Sequence, residues 1–185
     1  KFKKEYLPHT IELGRSFVQP KYQSSRAGRK ALFALDNLWD GLGALVVDYP
    51  EIKYFFGKVT MYTSYNIEAR NRILYFLNRF FPDKENLLKP ITALETNIDK
   101  EFLDNVFIGK DYAENYKILG KEVRKFNENI PPLVNTYMNL TETMNVFGTA
   151  MNRNFGEVEE TGILITISDI FPKKKERHIN SYIKK

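Results

Sequence analysis

The chain has 185 residues, 43% of them apolar, enough to bury one good core in a single domain. Its formal charge of +5 resides in residues 173–185, where Lys173, Lys174, Lys175, Arg177, Lys184 and Lys185 face only Glu176, so the body is close to neutral and offers no nucleic-acid footprint. The absence of cysteine excludes a disulfide framework, a thiolate nucleophile and a cysteine zinc site, and the two histidines, His9 and His178, stand too far apart to suggest a metal site.

No apolar run approaches the roughly 18 residues that cross a bilayer, which reads as a soluble, cytoplasmic chain. It begins "KFKKEYLPHT", with no methionine and no clear helix or hairpin signal, and the expectation is a start part-way into a longer protein.

Residues 9–18, "HTIELGRSFV", alternate as a strand, with Ile11, Leu13 and Phe17 on one face and Thr10, Glu12 and Ser16 on the other. Gly14 interrupts the alternation, and a bulge there would bring Arg15 onto the face of Glu12. The loop "QPKYQSSRAGRK" then feeds a helix whose stripe is Leu32, Leu35, Leu38, Leu42 and Leu45, widened by Trp39 and Val46. Unpaired N–H groups at a helix start favour an anion, and Arg26, Gly28, Arg29 and Lys30 suit phosphate there.

"DYPEI" ends that helix, and "IKYFFGKVTMY", 52–62, is a second strand, so strand, helix and strand form a right-handed parallel unit. Asn66 caps a helix with Glu68 and Arg72 at i,i+4 and with Ile67, Ile73, Leu74, Leu77 and Phe80 on its buried side, stopped by Pro82. Residues 83–130 read as a helical insertion or lid, with helices near 98–107 and 112–127, the latter opened by Asp111 and Glu114 in capping-box spacing. A short helix at "IPPLVNTYMNL" and paired strands "NVFGTAMN" and "TGILITISDI" follow, and the end after Pro172 reads as a frayed basic tail. The organisation expected is a body over 1–172 and a tail over 173–185.

The order of bulged strand, anion-binding loop, helix, strand and helix resembles the central core of the GNAT acyltransferase superfamily. More closely, "ELGRSFV", "LWDGLGALV", "IKYFFGKVTM", "PPLVNTYMNL" and "FGTAMNRNFGEVEETGILITI" look like bacterial putative hemolysins related to the N-acyltransferases of lyso-ornithine and lyso-glycine lipids, over residues 9–81 and 130–170. The resemblance implies an α/β (α+β) fold, a partial GNAT-like domain with a central mixed sheet and flanking helices. It implies transfer of a 3-hydroxy fatty acyl group from acyl carrier protein, or from acyl-CoA, to the amine of a small amino acid such as glycine or ornithine. No covalently bound cofactor is implied.

Two departures from the family pattern stand out. Ser25 occupies the position of the usual Gln or Arg of the acetyl-CoA loop and Lys30 that of its last Gly or Ala, which points to another donor. The N-terminal strands expected of a GNAT domain are not in this sequence, and if the chain began at Lys1 the strand at 9–18 would have an open edge.

Under this resemblance Glu12 orients or deprotonates the acceptor ammonium, and Arg15 holds a carboxylate or fixes the strand; the plain alternative is a structural ion pair. Arg26, Gly28, Arg29 and Lys30 would dock phosphopantetheine and the acidic helix of acyl carrier protein, or simply form a solvated helix start. Tyr62, Ser64, Tyr65 and Asn66, at the carboxyl end of the second strand, are candidates to contact acceptor or leaving group. Glu157, Glu159 and Glu160 read as an exposed hairpin turn, Trp39 as core and His9 as structural. The basic tail offers a peripheral contact with the inner membrane. A non-catalytic module that binds acyl chains or a partner protein is the competing reading.

Overall fold

The structure, a computed structural model, describes residues 1–14, 19–20 and 29–183. Strand β1 (Thr10–Leu13) leads into helix α1 (Arg29–Asp48), and β2 (Tyr54–Tyr62) runs parallel to β1, pairing Thr10 with Tyr54 through Leu13 with Gly57. Helices α2 (Ile67–Phe80), α3 (Lys100–Val106), α4 (Tyr112–Arg124) and α5 (Pro132–Met138) follow. Strands β3 (Asn145–Asn152) and β4 (Val158–Thr166) complete the sheet, and α6 (Pro172–His178) ends the regular structure. The sheet order is β1-β2-β4-β3, with β4 antiparallel to both neighbours. This mixed sheet flanked by helices is compatible with a GNAT-like acyltransferase fold, and among the described strands β1 and β3 are outermost.

Local chemistry explains the elements. Asn66 caps α2, its side-chain oxygen accepting from the N–H groups of Glu68 at 2.9 Å and Ala69 at 3.2 Å. Asp111 caps α4 by accepting from Glu114 N–H at 2.8 Å, while the Glu114 carboxylate reaches back to Lys110 N–H at 3.0 Å, one residue beyond a standard capping box. Pro132 opens α5, where a missing N–H costs nothing.

The core is built around α2. Phe76 is fully buried and meets Phe80, Phe107 and Tyr112 with ring centroids 4.4, 5.5 and 5.9 Å away. Leu103, Phe107, Leu119 and Val123, from segment 83–130, are buried in the same cluster as Ile73 and Ile163. Each such side chain contributes about 1.5–3 kcal/mol on leaving water, so α3 and α4 are fixed by the same packing as the sheet.

Several expectations change. Of the strand expected over 9–18, Thr10–Leu13 are described as β1, and the bulge expected at Gly14 depends on residues 15–18, which lie outside the described residues. The sheet's irregularity lies in β3, where Phe147 and Gly148 stand against Gly162 alone and Gly148 adopts φ +93°, a region open to glycine. Ile67 is exposed, because it sits in the first turn of α2, before the helix reaches the core. Residues 172–178 are helical, with His178 buried and its Nδ1 2.7 Å from Asp40 Oδ1 of α1, so this stretch is docked and not frayed. Gly43 of α1 permits the contact, since a Cβ there would lie 1.6 Å from the His178 carbonyl oxygen. Trp39 is core, edge-on to Phe55 and Tyr137.

Candidate active site

A cleft of about 620 Å³ opens beside β2, past the last described residues of β1. Beyond the Leu13–Gly57 pair, β2 continues to Tyr62 with β4 on one side and no described strand on the other. Among the described residues, the peptide groups on that edge of β2 beyond Gly57 have no partner strand.

Strand register sorts the lining, because side chains alternate between faces. Glu12 stands opposite Phe56 and Thr60 opposite Glu160, while Phe56, Lys58 and Thr60 occupy alternate positions of β2. Glu12, Lys58, Thr60 and Glu160 thus meet on one face of the sheet at the cleft, joined by Asn152 at the end of β3 and Phe155 in the following turn. From the other face α5 contributes Leu133 and Tyr137, one helical turn apart.

Glu160 is held in place. Its Oε2 accepts from Lys58 Nζ at 2.9 Å and from Asn152 Nδ2 at 3.1 Å. Lys58 is half exposed, so the pair does more to orient the carboxylate than to stabilise the fold. Tyr137 is buried with its ring edge-on to Trp39, and burial pushes its phenol up to about 12. A Cβ at Gly57 would lie 3.4 Å from the Tyr137 hydroxyl and 3.6 Å from Leu13 Cβ, so glycine keeps the gap between the strands open beside that hydroxyl.

Of the residues singled out from sequence, Glu12 lines the cleft. Arg15, Arg26 and Gly28 lie outside the described residues, so their shared face with Glu12 and the loop geometry do too; Arg29 and Lys30 are the first two residues of α1. Tyr62 is exposed at the end of β2, and Ser64 is exposed in the turn that follows. Tyr65 donates its hydroxyl to the Asn129 carbonyl at 2.8 Å, and burial, then the Glu128 carboxylate, raises its phenol to about 12. Asn66 is spent on the α2 cap, and its own N–H donates to Glu128 Oε1 at 3.1 Å. These four do not line the cleft.

Sequence reading missed Lys58, Thr60, Tyr137, Asn152 and Glu160. It also misplaced the glutamates of "FGEVEETG". Glu157 is in the turn, at φ 51°, but β4 begins at Val158, so Glu159 and Glu160 are strand residues on opposite faces. Glu159 is buried, its Oε1 2.5 Å from Arg70 Nη1 of α2, and burial raises its carboxyl despite that guanidinium. The signal that could have found them is the alternation in "VEETGILIT" carried back to Val158, which places one glutamate inward and the next outward.

Among the described residues, no group of three or more His, Asp or Glu is placed to hold a metal, and no helix is long and apolar enough to cross a membrane. No family model and no solved structure matches the chain. Its similar proteins include the glycine N(alpha)-acyltransferase of Phocaeicola vulgatus, 60% identical over 183 residues, which are 99% of this chain and 56% of that protein. The glycine N(alpha)-acyltransferase of Bacteroides thetaiotaomicron is 58% identical over 182 residues, 98% of this chain and 54% of that protein. The chain therefore spans about half the length of the curated relatives it matches.

Proposed function

We propose that the chain is the catalytic part of an N-acyltransferase that moves a 3-hydroxy fatty acyl group from acyl carrier protein to the amine of glycine, for aminolipid synthesis. The observation that carries this reading is the identity of 60% and 58%, across nearly the whole chain, to two proteins named for acylating glycine. Those names favour glycine over ornithine as acceptor. The cleft supports it, with a carboxylate and a protonated phenol around one space.

In this mechanism Glu12 takes a proton from the glycine ammonium and Arg15 pairs with the glycine carboxylate. The free amine attacks the thioester carbonyl, forming the C–N bond, and backbone N–H groups of β2 beyond Gly57 hold the oxyanion. The C–S bond then breaks, the thiolate takes the proton that the Tyr137 phenol near 12 still carries at neutral pH, and the phenolate recovers it from the attacking nitrogen as the amide forms. Direct transfer needs no acyl-enzyme. Arg26, Gly28, Arg29 and Lys30 receive the donor's phosphate arm and its carrier protein, and the lysines of α6 meet an anionic leaflet.

The test is a graft. This chain replaces the matching stretch of the Phocaeicola vulgatus protein, the hybrid is expressed in a bacterium fed ¹⁵N-glycine, and lipids are read by mass spectrometry. Labelled N-acylglycine from the graft, lost in Glu12→Gln at equal protein level, is expected. A well-expressed graft that makes none sinks the reading and leaves the non-catalytic binding module.

A further inference from the structure

A second concavity, of about 470 Å³, lies on the far side of α5 from the cleft. Helix α5 turns Leu133 and Tyr137 to the cleft and Asn135 to this groove. The opposite wall is α4, which presents Lys117, Lys121 and Arg124 at i, i+4 and i+7, positions that share one helix face. Gly120 lies between them, and a Cβ there would come 3.5 Å from an Arg124 guanidinium nitrogen, so the guanidinium rests over the bare backbone of that turn.

The carboxylates nearby are engaged elsewhere. Glu122 is buried against Arg72 and Lys125, Glu128 accepts from Asn66 N–H, and Glu114 pairs with Lys110. Lys117, Lys121 and Arg124 have no carboxylate partner among the described residues. The groove's floor is also rigid: Tyr116 donates its hydroxyl to Asn135 Oδ1, and Asn129 is pinned through its carbonyl by Tyr65. With Oδ1 occupied, the Asn135 amide N–H₂ is left as a further donor beside three cations.

We propose that this groove is a binding site for a phosphate-bearing ligand of at least two negative charges, held by Lys117, Lys121 and Arg124. A guanidinium and two ammoniums converging with an amide donor match a multivalent oxyanion better than a single carboxylate, and an unpaired cluster of this kind repels itself until an anion arrives. The ligand chemistry has two sources, the nucleotide end of a soluble thioester carrier or a phospholipid headgroup. The inference is independent of the acyltransferase reading, and its test reads binding only.

Inorganic pyrophosphate is titrated into the full chain by calorimetry in magnesium-free buffer, with Lys121→Gln/Arg124→Gln in parallel and Lys84→Gln/Lys89→Gln, two exposed lysines in the loop after α2, as the equal-charge control. The expected result is saturable binding of the wild type, weakened at least about tenfold by the α4 double variant and little changed by the control. Coenzyme A and phosphatidic acid vesicles are then tested on the same proteins; whichever loses affinity in the α4 variant identifies the source. No saturable pyrophosphate binding, or equal loss in the control variant, overturns the proposal.

Discussion

Replacing Glu159 by leucine should be among the most damaging single changes in the chain, and replacing its partner as well should repair it. Arg70 and Glu159 are 8% and 7% exposed and share one bond of 2.5 Å, while Arg70 Nε and Glu159 Oε2 have no partner among the described residues. Leucine at 159 leaves a buried guanidinium uncompensated, a loss of about 3–5 kcal/mol. At about 2–4 °C per kcal/mol for a chain of this size, the melting temperature falls by about 6–20 °C. The double variant Arg70→Met/Glu159→Leu removes both desolvation penalties and should lie near the wild type or about 1–4 kcal/mol above it.

The raised Glu159 carboxyl adds a pH signature. The folded chain keeps this proton longer than the unfolded chain, so the group's contribution is fully present below the ordinary value of 4.5 and declines as pH rises through the folded value. Wild type minus double variant should therefore lose stability with rising pH above that point. Urea denaturation of the wild type, Arg70→Met, Glu159→Leu and the double variant across pH closes the cycle. A single variant within about 1 kcal/mol of wild type, or a double variant no better than the single, refutes the reasoning.

Other consequences concern α1 and the cleft. Gly43→Ala drives a Cβ into the His178 carbonyl, so α6 must shift or detach; a loss of about 1–3 kcal/mol is expected, with faster tryptic cutting within Lys173–Arg177, and unchanged cutting would contradict the close contact. Tyr137→Phe keeps the ring against Trp39 and removes only the proton. In the grafted enzyme kcat should fall about 10²–10⁴-fold with KM little changed, and a wild-type rate would remove Tyr137 from the mechanism. Because burial holds that phenol near 12, the wild-type rate should show no alkaline fall from Tyr137 across neutral and mildly alkaline pH.

The amino-acid sequence by itself determined the local elements. Asn66 and Asp111 announce their helices because a short polar side chain reaches the second or third N–H after it, a contact written within four residues. The parallel order of β1, α1 and β2 was legible too, since a crossover helix permits little else. Glu12 could be picked out because an acidic residue in an alternating strand is conspicuous.

Tertiary structure decided what distance and burial decide. Nothing adjacent in the chain tells Glu159 from Glu160: one meets Arg70, 89 residues away, inside the core, and the other meets Lys58, 102 residues away, in the cleft. Tyr137 reads as one more aromatic on a short helix until Gly57 opens the space beside its hydroxyl. Helix α6 looks like a solvated cationic end by composition, and it docks because Gly43 and Asp40, on a helix far earlier in the chain, leave room for His178 and bond to it. Local propensity acts through neighbours in sequence, whereas a buried charge or a cleft exists only once distant segments have excluded water between them.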